Sequence, residues 1–383
     1  MSKIDLTVYK GTKYYFQLFD ILIRERKLTK EPFLKEIGIS PSSYRKSRIT
    51  ERNAGEKISE TLCEHLGYNK ANYELVCSVE KLLNKVYKNI YYKIYTTYEE
   101  DLAYIDQLID GNYIIFPILK LIKIFIIANS KMDADLFVEN YYEIYDELQK
   151  YFSFFNEDLL EIFDIISLAF DERINENMIF KEYNNSLAYC SLSSRLWKDG
   201  KYLECLFLSQ KTEEVLVKEQ NYRRLVSLNV TRIYCLNALG NYQESYELSE
   251  NMLATIKSFN EVDYESKYIV SHLALSCLPL KKYKYCSELL LNKNKVSLTD
   301  ICCILIAKFF TNKKEYESLL EHYLGIVNNE DKFIFKCLDG VLKRKNLKSL
   351  NALNSPKLIR YFPDLLKNMI FGRMPKTDDN KNK

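Results

Sequence analysis

The side chains in this chain best suited to chemistry are cations and hydroxyls, and they gather within one short stretch. Lys30, Ser40, Ser42, Ser43, Arg45, Lys46 and Arg48 all fall between residues 30 and 48. Lysine and arginine neutralise phosphate oxygens, and short hydroxyls with lysine can hydrogen-bond base edges. From Ile21 to Arg52 nine Lys and Arg face four Glu, a local excess of five. The whole chain carries only +3, so the remainder is net −2 and the basic patch is local. A patch of that kind is the electrostatic footprint of a nucleic-acid partner.

Catalytic chemistry has no comparable set. The histidines, His65, His272 and His322, lie far apart, each within an apolar helical pattern. A phosphate-binding glycine loop, GxSxG and HExxH are all absent from the sequence. Carboxylates are scattered along solvated faces, as in Glu99-Glu100-Asp101. The ten cysteines show no CxxC or Cys/His spacing and read as small core residues in a reducing cytosol. No catalytic residue, cofactor or metal site is expected, and the chain reads as a non-enzyme.

The basic residues need a scaffold, and the surrounding sequence supplies one. Tyr14 to Arg26 reads as an amphipathic helix with Tyr15, Leu18, Phe19, Leu22 and Ile23 on one side. Thr29 can cap a second helix with Pro32 in its first turn, and Gly38 supplies the left-handed residue that ends it. Ser40 caps a third helix that opens with Pro41 and carries the polar, basic face. Arg52-Asn53-Ala54-Gly55 reads as a turn. A further helix, Glu56 to Leu66, has Ile58, Leu62 and Leu66 at spacings of four and stops at Gly67. Helix, glycine turn and basic helix form the layout of a DNA-reading helix-turn-helix.

Residues 1 to about 12 read as a loose lead-in without an apolar run, so no signal peptide is expected. Domain 1–70 is the helix-turn-helix domain, with a boundary near Gly67 to Asn72. Residues 73–372 show helical periodicity nearly throughout, and 373–383 are polar and expected to be disordered. The apolar stretch Tyr113 to Ala128 is interrupted by Pro117, Lys120 and Lys123, which favours a buried helix over a membrane span. Aromatic stripes at helical spacing (Tyr91, Tyr92, Tyr95, Tyr98; Tyr141, Tyr142, Tyr145; Tyr151, Phe152, Phe154, Phe155) read as core.

Breaks punctuate the helices at Asp110-Gly111-Asn112, Asn129-Ser130, Asp199-Gly200, Gly240-Asn241, Lys281-Lys282 and Asn312-Lys313. Tyrosines follow four of them, Tyr202, Tyr242, Tyr283 and Tyr316, separated by 40, 41 and 33 residues. Three residues beyond the first three stand Cys205, Ser245 and Cys286, and nine residues before the first, third and fourth stand Ser193, Ala274 and Ala307. Small residues flanking a turn let antiparallel helices approach closely. This arrangement resembles degenerate tetratricopeptide repeats, although Ile233 and Leu319 break the small-residue rule. The fold class expected is all-α: a helix-turn-helix domain followed by a right-handed superhelix of helical hairpins.

At the front, Leu28-Thr29-Lys30-Glu31 followed by Ile37-Gly38-Ile39-Ser40 resembles the helix-turn-helix of phage-repressor-like, XRE-type regulators. Lys30 replaces that family's usual Gln, Leu34 its small residue and Ser47 an apolar one, so the resemblance implies that Tyr44 and Ile49 fill the core. Together with the repeats, the chain resembles the RRNPP peptide-sensing regulators, with the arbitrium peptide receptors of phages as a similar variant. The resemblance implies a cytoplasmic homodimeric transcription regulator whose DNA operator is contacted by Lys30, Ser40, Ser42, Ser43, Arg45, Lys46 and Arg48. It also implies a short signalling peptide held on the concave face. Counting back from the turn tyrosines places Ser194, Trp197, Val230, Tyr234, Asn237, Tyr268 and Ser271 towards that face, with Asn229 beside it. The competing reading is an interaction protein with a vestigial headpiece that sequesters a protein partner and does not bind DNA.

Overall fold

The structure, a computed structural model, describes residues 3–49, 53–94, 98–129, 143–170, 182–183, 185–258, 264–293 and 295–371. Among these, the regular elements are helices, and the sole β-type contact is an isolated bridge between Asn69 and Tyr113. The fold is all-α. The expected disordered tail, 373–383, lies outside the described residues, as do Tyr95, Tyr141 and Tyr142. The chain divides into two compact units, Met1–Leu192 and Ser193–Lys383. The turn at Gly67 to Asn72 lies inside the first.

The first unit opens with α1 (Tyr15–Glu25), α2 (Lys30–Glu36), α3 (Pro41–Ile49) and α4 (Asn53–His65). Asn53 to Gly55 belong to α4 and not to a turn, so that helix begins a turn earlier than the sequence suggested. After it come α5 (Tyr73–Tyr91), α6 (Glu99–Asp110), α7 (Phe116–Asn129), α8 (described over 143–149) and α9 (Glu157–Phe170). The lead-in is not loose. Ile4, Leu6 and Tyr9 are buried, because their apolar side chains pack on this unit. Ile4 exchanges two hydrogen bonds with the Asn84 side chain of α5, at 3.0 and 2.9 Å. Tyr9 Oη donates to Phe154 O at 2.8 Å and accepts from Asn156 N at 2.7 Å.

Helix α7 is the buried apolar helix that its interruptions by charge implied. Lys120 pairs with Glu147 at 2.6 Å and Lys123 with Asp106 at 2.6 Å, which keeps both cations compensated on an otherwise buried helix. Among the described residues no helix is long and apolar enough to cross a membrane.

Helix α10 (Ser186–Lys198) spans the division between the units. The second unit continues as α11 (Tyr202–Lys218), α12 (Tyr222–Ala238), α13 (Tyr242–Ser258), α14 (Tyr264–Cys277) and α15 (Tyr283–Leu291). It ends with α16 (Leu298–Thr311), α17 (Lys313–Ile326), α18 (Asn329–Arg344), α19 (Leu347–Ala352) and α20 (Phe362–Phe371). From α11 onward each helix packs on the next, and α12, α14, α16 and α18 also pack on one another in succession. Alternate helices therefore form a layer of their own, and their partners stand outside it. This is the nearest-neighbour organisation of a helical-repeat stack.

The hairpin turns are built alike. Gly200 and Gly240 adopt left-handed backbone, φ +75° and +81°, and Lys281 takes the same place at +58°. The following amide closes each turn onto the helix before it: Lys201 N to Leu196 O, Asn241 N to Leu236 O and Lys282 N to Cys277 O, all within 2.8–2.9 Å. The small residues after the turns also repeat a contact. Cys205 Sγ donates to Ser193 O at 3.3 Å, and Ser245 Oγ donates to Ile233 O at 3.4 Å. The pairing uses the carbonyl of the earlier helix, so a large Ile233 side chain is accommodated.

Candidate functional site

The basic patch is organised by α1, α2 and α3. Gly38 ends α2 at φ +75°, and Ile39 N closes onto Leu34 O at 2.7 Å, so the chain turns sharply between the two helices. Ser40 caps α3 as expected, its Oγ accepting from Ser43 N at 3.0 Å. Ser40 also donates to Ser43 Oγ at 2.8 Å and lies 3.0 Å from Ser42 Oγ. Thr29 occupies the N-cap position of α2, but its side chain makes no capping bond.

The inner face of α3 is set by Tyr44 and Ser47, both buried with Leu34. Ser47 is small for a reason the sequence did not show: α4 passes close by at Gly55, where a Cβ would stand 3.6 Å from Ser47 Cβ. Ile49 does not share this core. It is 72% exposed and extends the outward face formed by Ser42, Ser43, Arg45, Lys46 and Arg48.

Asp20 of α1, side chain only 18% exposed, draws three of these groups together. Tyr44 Oη donates to its Oδ1 at 2.6 Å, Arg48 Nη1 lies 3.2 Å from its Oδ2, and Lys30 forms an ion pair with it. Lys30 Nζ also sits 4.3 Å from the centre of the Tyr44 ring, a cation–π contact. Burial, reinforced by the Asp20 carboxylate, pushes the Tyr44 phenol well above its ordinary pKa, which fixes it as a donor. Arg45 pairs with Glu31 at 3.4 Å, both exposed, a contact that other anions can replace at little cost. Asp20 was missed at the sequence level, although an acid inside the apolar run FQLFDILI was a signal.

The residues expected on the groove do not all come together. Trp197, Tyr234 and Asn237 are brought together in the second unit, whereas Ser194 and Tyr268 are exposed. Asn229 is buried and turned towards α11 and α13: its Nδ2 donates to Met252 Sδ at 3.3 Å, and Arg232, itself 2.6 Å from Glu213, donates to its Oδ1. Asn237 bridges helices, donating to His272 O at 3.2 Å and accepting from Ser276 Oγ at 2.9 Å. Ser271 accepts from Lys293 Nζ at 2.6 Å, which also binds Asp300 at 2.6 Å.

Around Tyr234 stands an aromatic cluster. Its ring centre lies 5.2 Å from Trp197, 5.4 Å from His272 and 4.9 Å from Tyr361. Burial depresses the His272 pKa to about 4 and raises that of Tyr234, so both are neutral at ordinary pH. Among the described residues no group of three or more His, Cys, Asp or Glu stands where it could hold a metal ion. The meeting of His272 and Tyr361 was not anticipated, because their contact joins positions 89 residues apart in the chain. Comparison of the chain with protein-family models, with curated proteins and with solved structures gives no match.

Proposed function

We propose that this chain is a DNA-binding transcription regulator of the peptide-sensing type, with α3 as its recognition helix. One observation carries the reading: a capped, nine-residue helix follows a left-handed glycine turn and exposes Ser42, Ser43, Arg45, Lys46 and Arg48 on one side. Two short helices held at a tight glycine turn are what allow a second helix to enter a major groove. Lys30 and Arg48 contact phosphate, Arg45 does the same after leaving Glu31, and Ser42, Ser43 and Lys46 meet base edges. The stack of alternate helices supplies the sensor in this reading, binding a short peptide whose differential affinity for two dimer geometries shifts their populations.

Arg45→Ala/Lys46→Ala is the direct test. The pair removes one phosphate-binding and one base-reading side chain, so affinity for duplex DNA should fall at least about tenfold while the helical content stays unchanged. Unchanged affinity would remove α3 as the recognition helix.

A second reading is favoured by the ion pairs themselves. Lys30 and Arg48 share Asp20, and Arg45 has Glu31, so these cations of the patch already have protein partners. An interaction protein whose headpiece no longer meets DNA would show the same pairing. Capture of a protein partner with no DNA shift distinguishes it.

A further inference from the structure

The face formed by the alternate helices of the second unit is crossed by the chain itself. Between α19 and α20 lies a non-helical connection, and its residues 358–361 read Leu-Ile-Arg-Tyr. They touch α10 and three helices of the stack, α12, α14 and α16. Arg360 Nη1 donates to Lys198 O at the end of α10, at 3.3 Å, and its guanidinium covers Gly200, where an added Cβ would meet it at 3.4 Å. Tyr361 packs on Tyr234 of α12 and lies with its Oη 2.8 Å from His272 Nδ1 of α14. Ile359 N donates to Thr299 Oγ1 of α16 at 3.2 Å. Leu358 and Tyr361 are buried, with 5% and 4% exposure, whereas Arg360 remains exposed.

The segment is folded into two tight turns, Leu358 N closing onto Ser355 O at 3.0 Å and Phe362 N onto Ile359 O at 2.8 Å, and it presents its side chains to the groove from them. A backbone amide is satisfied by a groove hydroxyl, a cation binds the carbonyl end of a helix, and an aromatic anchor fills a ring-lined pocket. Trp197, Tyr234 and Asn237, read from the sequence as groove residues, all stand at this pocket. Asn237 is bonded to the backbone of His272, whose ring meets the Tyr361 phenol, and Trp197 lies edge-on against Tyr234.

We propose that residues 358–361 are a strap that occupies the peptide site in cis, and that this site takes short turn-forming segments that present aliphatic, cationic and aromatic residues in that order. The inference rests on the reading of the stack as a peptide sensor and adds the regulation of that site. A tethered segment competes as if present at roughly millimolar concentration, so an external peptide must displace it. The strap sets the threshold for the external signal.

The full-length chain carries its own reporter, because Trp197 is the single tryptophan and stands one ring away from Tyr361. Arg360→Ala/Tyr361→Ala should empty the pocket, and the synthetic hexapeptide Pro-Lys-Leu-Ile-Arg-Tyr amide, copied from residues 356–361, should fill it. Expected is a saturable change in Trp197 emission in the variant. The wild type should need at least about tenfold more hexapeptide, and a scrambled hexapeptide should give no response. Equal responses from wild type and variant, or none from a variant of native helical content, would overturn the proposal. Should the double substitution unfold the chain, Arg360→Ala/Tyr361→Phe keeps the ring and removes both polar anchors. That variant should bind the hexapeptide more tightly than wild type, and unchanged affinity there also overturns the proposal. The readout does not involve DNA, so a failed strap and a failed regulator reading are scored separately.

Discussion

Tyr44 Oη donates to Asp20 Oδ1 across 2.6 Å, and this bond fastens the exposed helix α3 to α1. The phenol is buried and the carboxylate nearly so, which makes the pair a structural anchor beneath the basic surface. Tyr44→Phe keeps the ring under Lys30 and removes the donor. A hydrogen bond to a charged group contributes about 1.5–3 kcal/mol, so chemical denaturation should show a loss in that range. A loss below about 0.5 kcal/mol would mean that Lys30 and Arg48 already satisfy the carboxylate.

The same carboxylate restrains Lys30 and Arg48, the cations that the proposed function assigns to phosphate. Asp20→Asn should release Lys30 and Arg48 for phosphate contacts and so strengthen binding to duplex DNA, although it weakens the fold. Each added phosphate contact steepens the dependence of log affinity on log salt by about 0.9. A salt titration that returns the wild-type slope would place both cations away from phosphate.

Much of this headpiece was legible locally. Gly38, Ser40 and Pro41 act through their own backbone and nearest neighbours, and all three stand where turn chemistry puts them. The repeat turns were legible for the same reason. What local pattern did not show was long-range. The side chain of Asn237 is bonded to His272 O and Ser276, 35 and 39 residues away. Ser47 reads as a departure until Gly55 is placed against it, and Ile49 reads as core until the helix is turned. Ordered packing of the lead-in depends on Phe154 and Asn156, some 145 residues later, which no local pattern encodes.

The turn at Lys281 stores strain that its counterparts avoid. A non-glycine residue at φ +58° costs roughly 1–2 kcal/mol, and the equivalent turns use Gly200 and Gly240. Lys281→Gly should therefore stabilise the chain by up to about 1 kcal/mol, the strain relief less the added unfolded-state entropy of glycine. Gly240→Ala should do the reverse. Thermal melts of the two variants should move in opposite directions.

Asp300 is 1% exposed and depends on Lys293 for charge compensation. Lys293→Met leaves that carboxylate buried with only neutral donors, which should cost about 3–5 kcal/mol in chemical denaturation. Adding Asp300→Asn removes the charge while Ser297 N can still donate to the side chain, so the double variant should regain a large part of the loss. Simple additivity of the two substitutions would show that the pair is not coupled.

His272 gives the fold an acid limit. Its pKa falls to about 4 because burial disfavours the imidazolium, with Lys293 reinforcing and Asp300 opposing the effect. In the unfolded chain a histidine titrates near 6.5, so between these values the unfolded state binds the extra proton. Stability is complete above about pH 6.5 and falls as the pH drops towards 4, by about 3 kcal/mol at most. Denaturation curves of wild type and His272→Asn should diverge in slope across that window. Parallel curves would show that the imidazole is solvated.

The central claim is that α3 reads DNA, and equilibrium binding of the wild-type chain to the DNA upstream of its own gene tests it most directly. Fluorescence anisotropy over a range of salt should give affinity that falls linearly in log–log form, with protection of a two-fold-symmetric site. Absence of any binding at low salt would contradict the claim and leave the chain as an interaction protein.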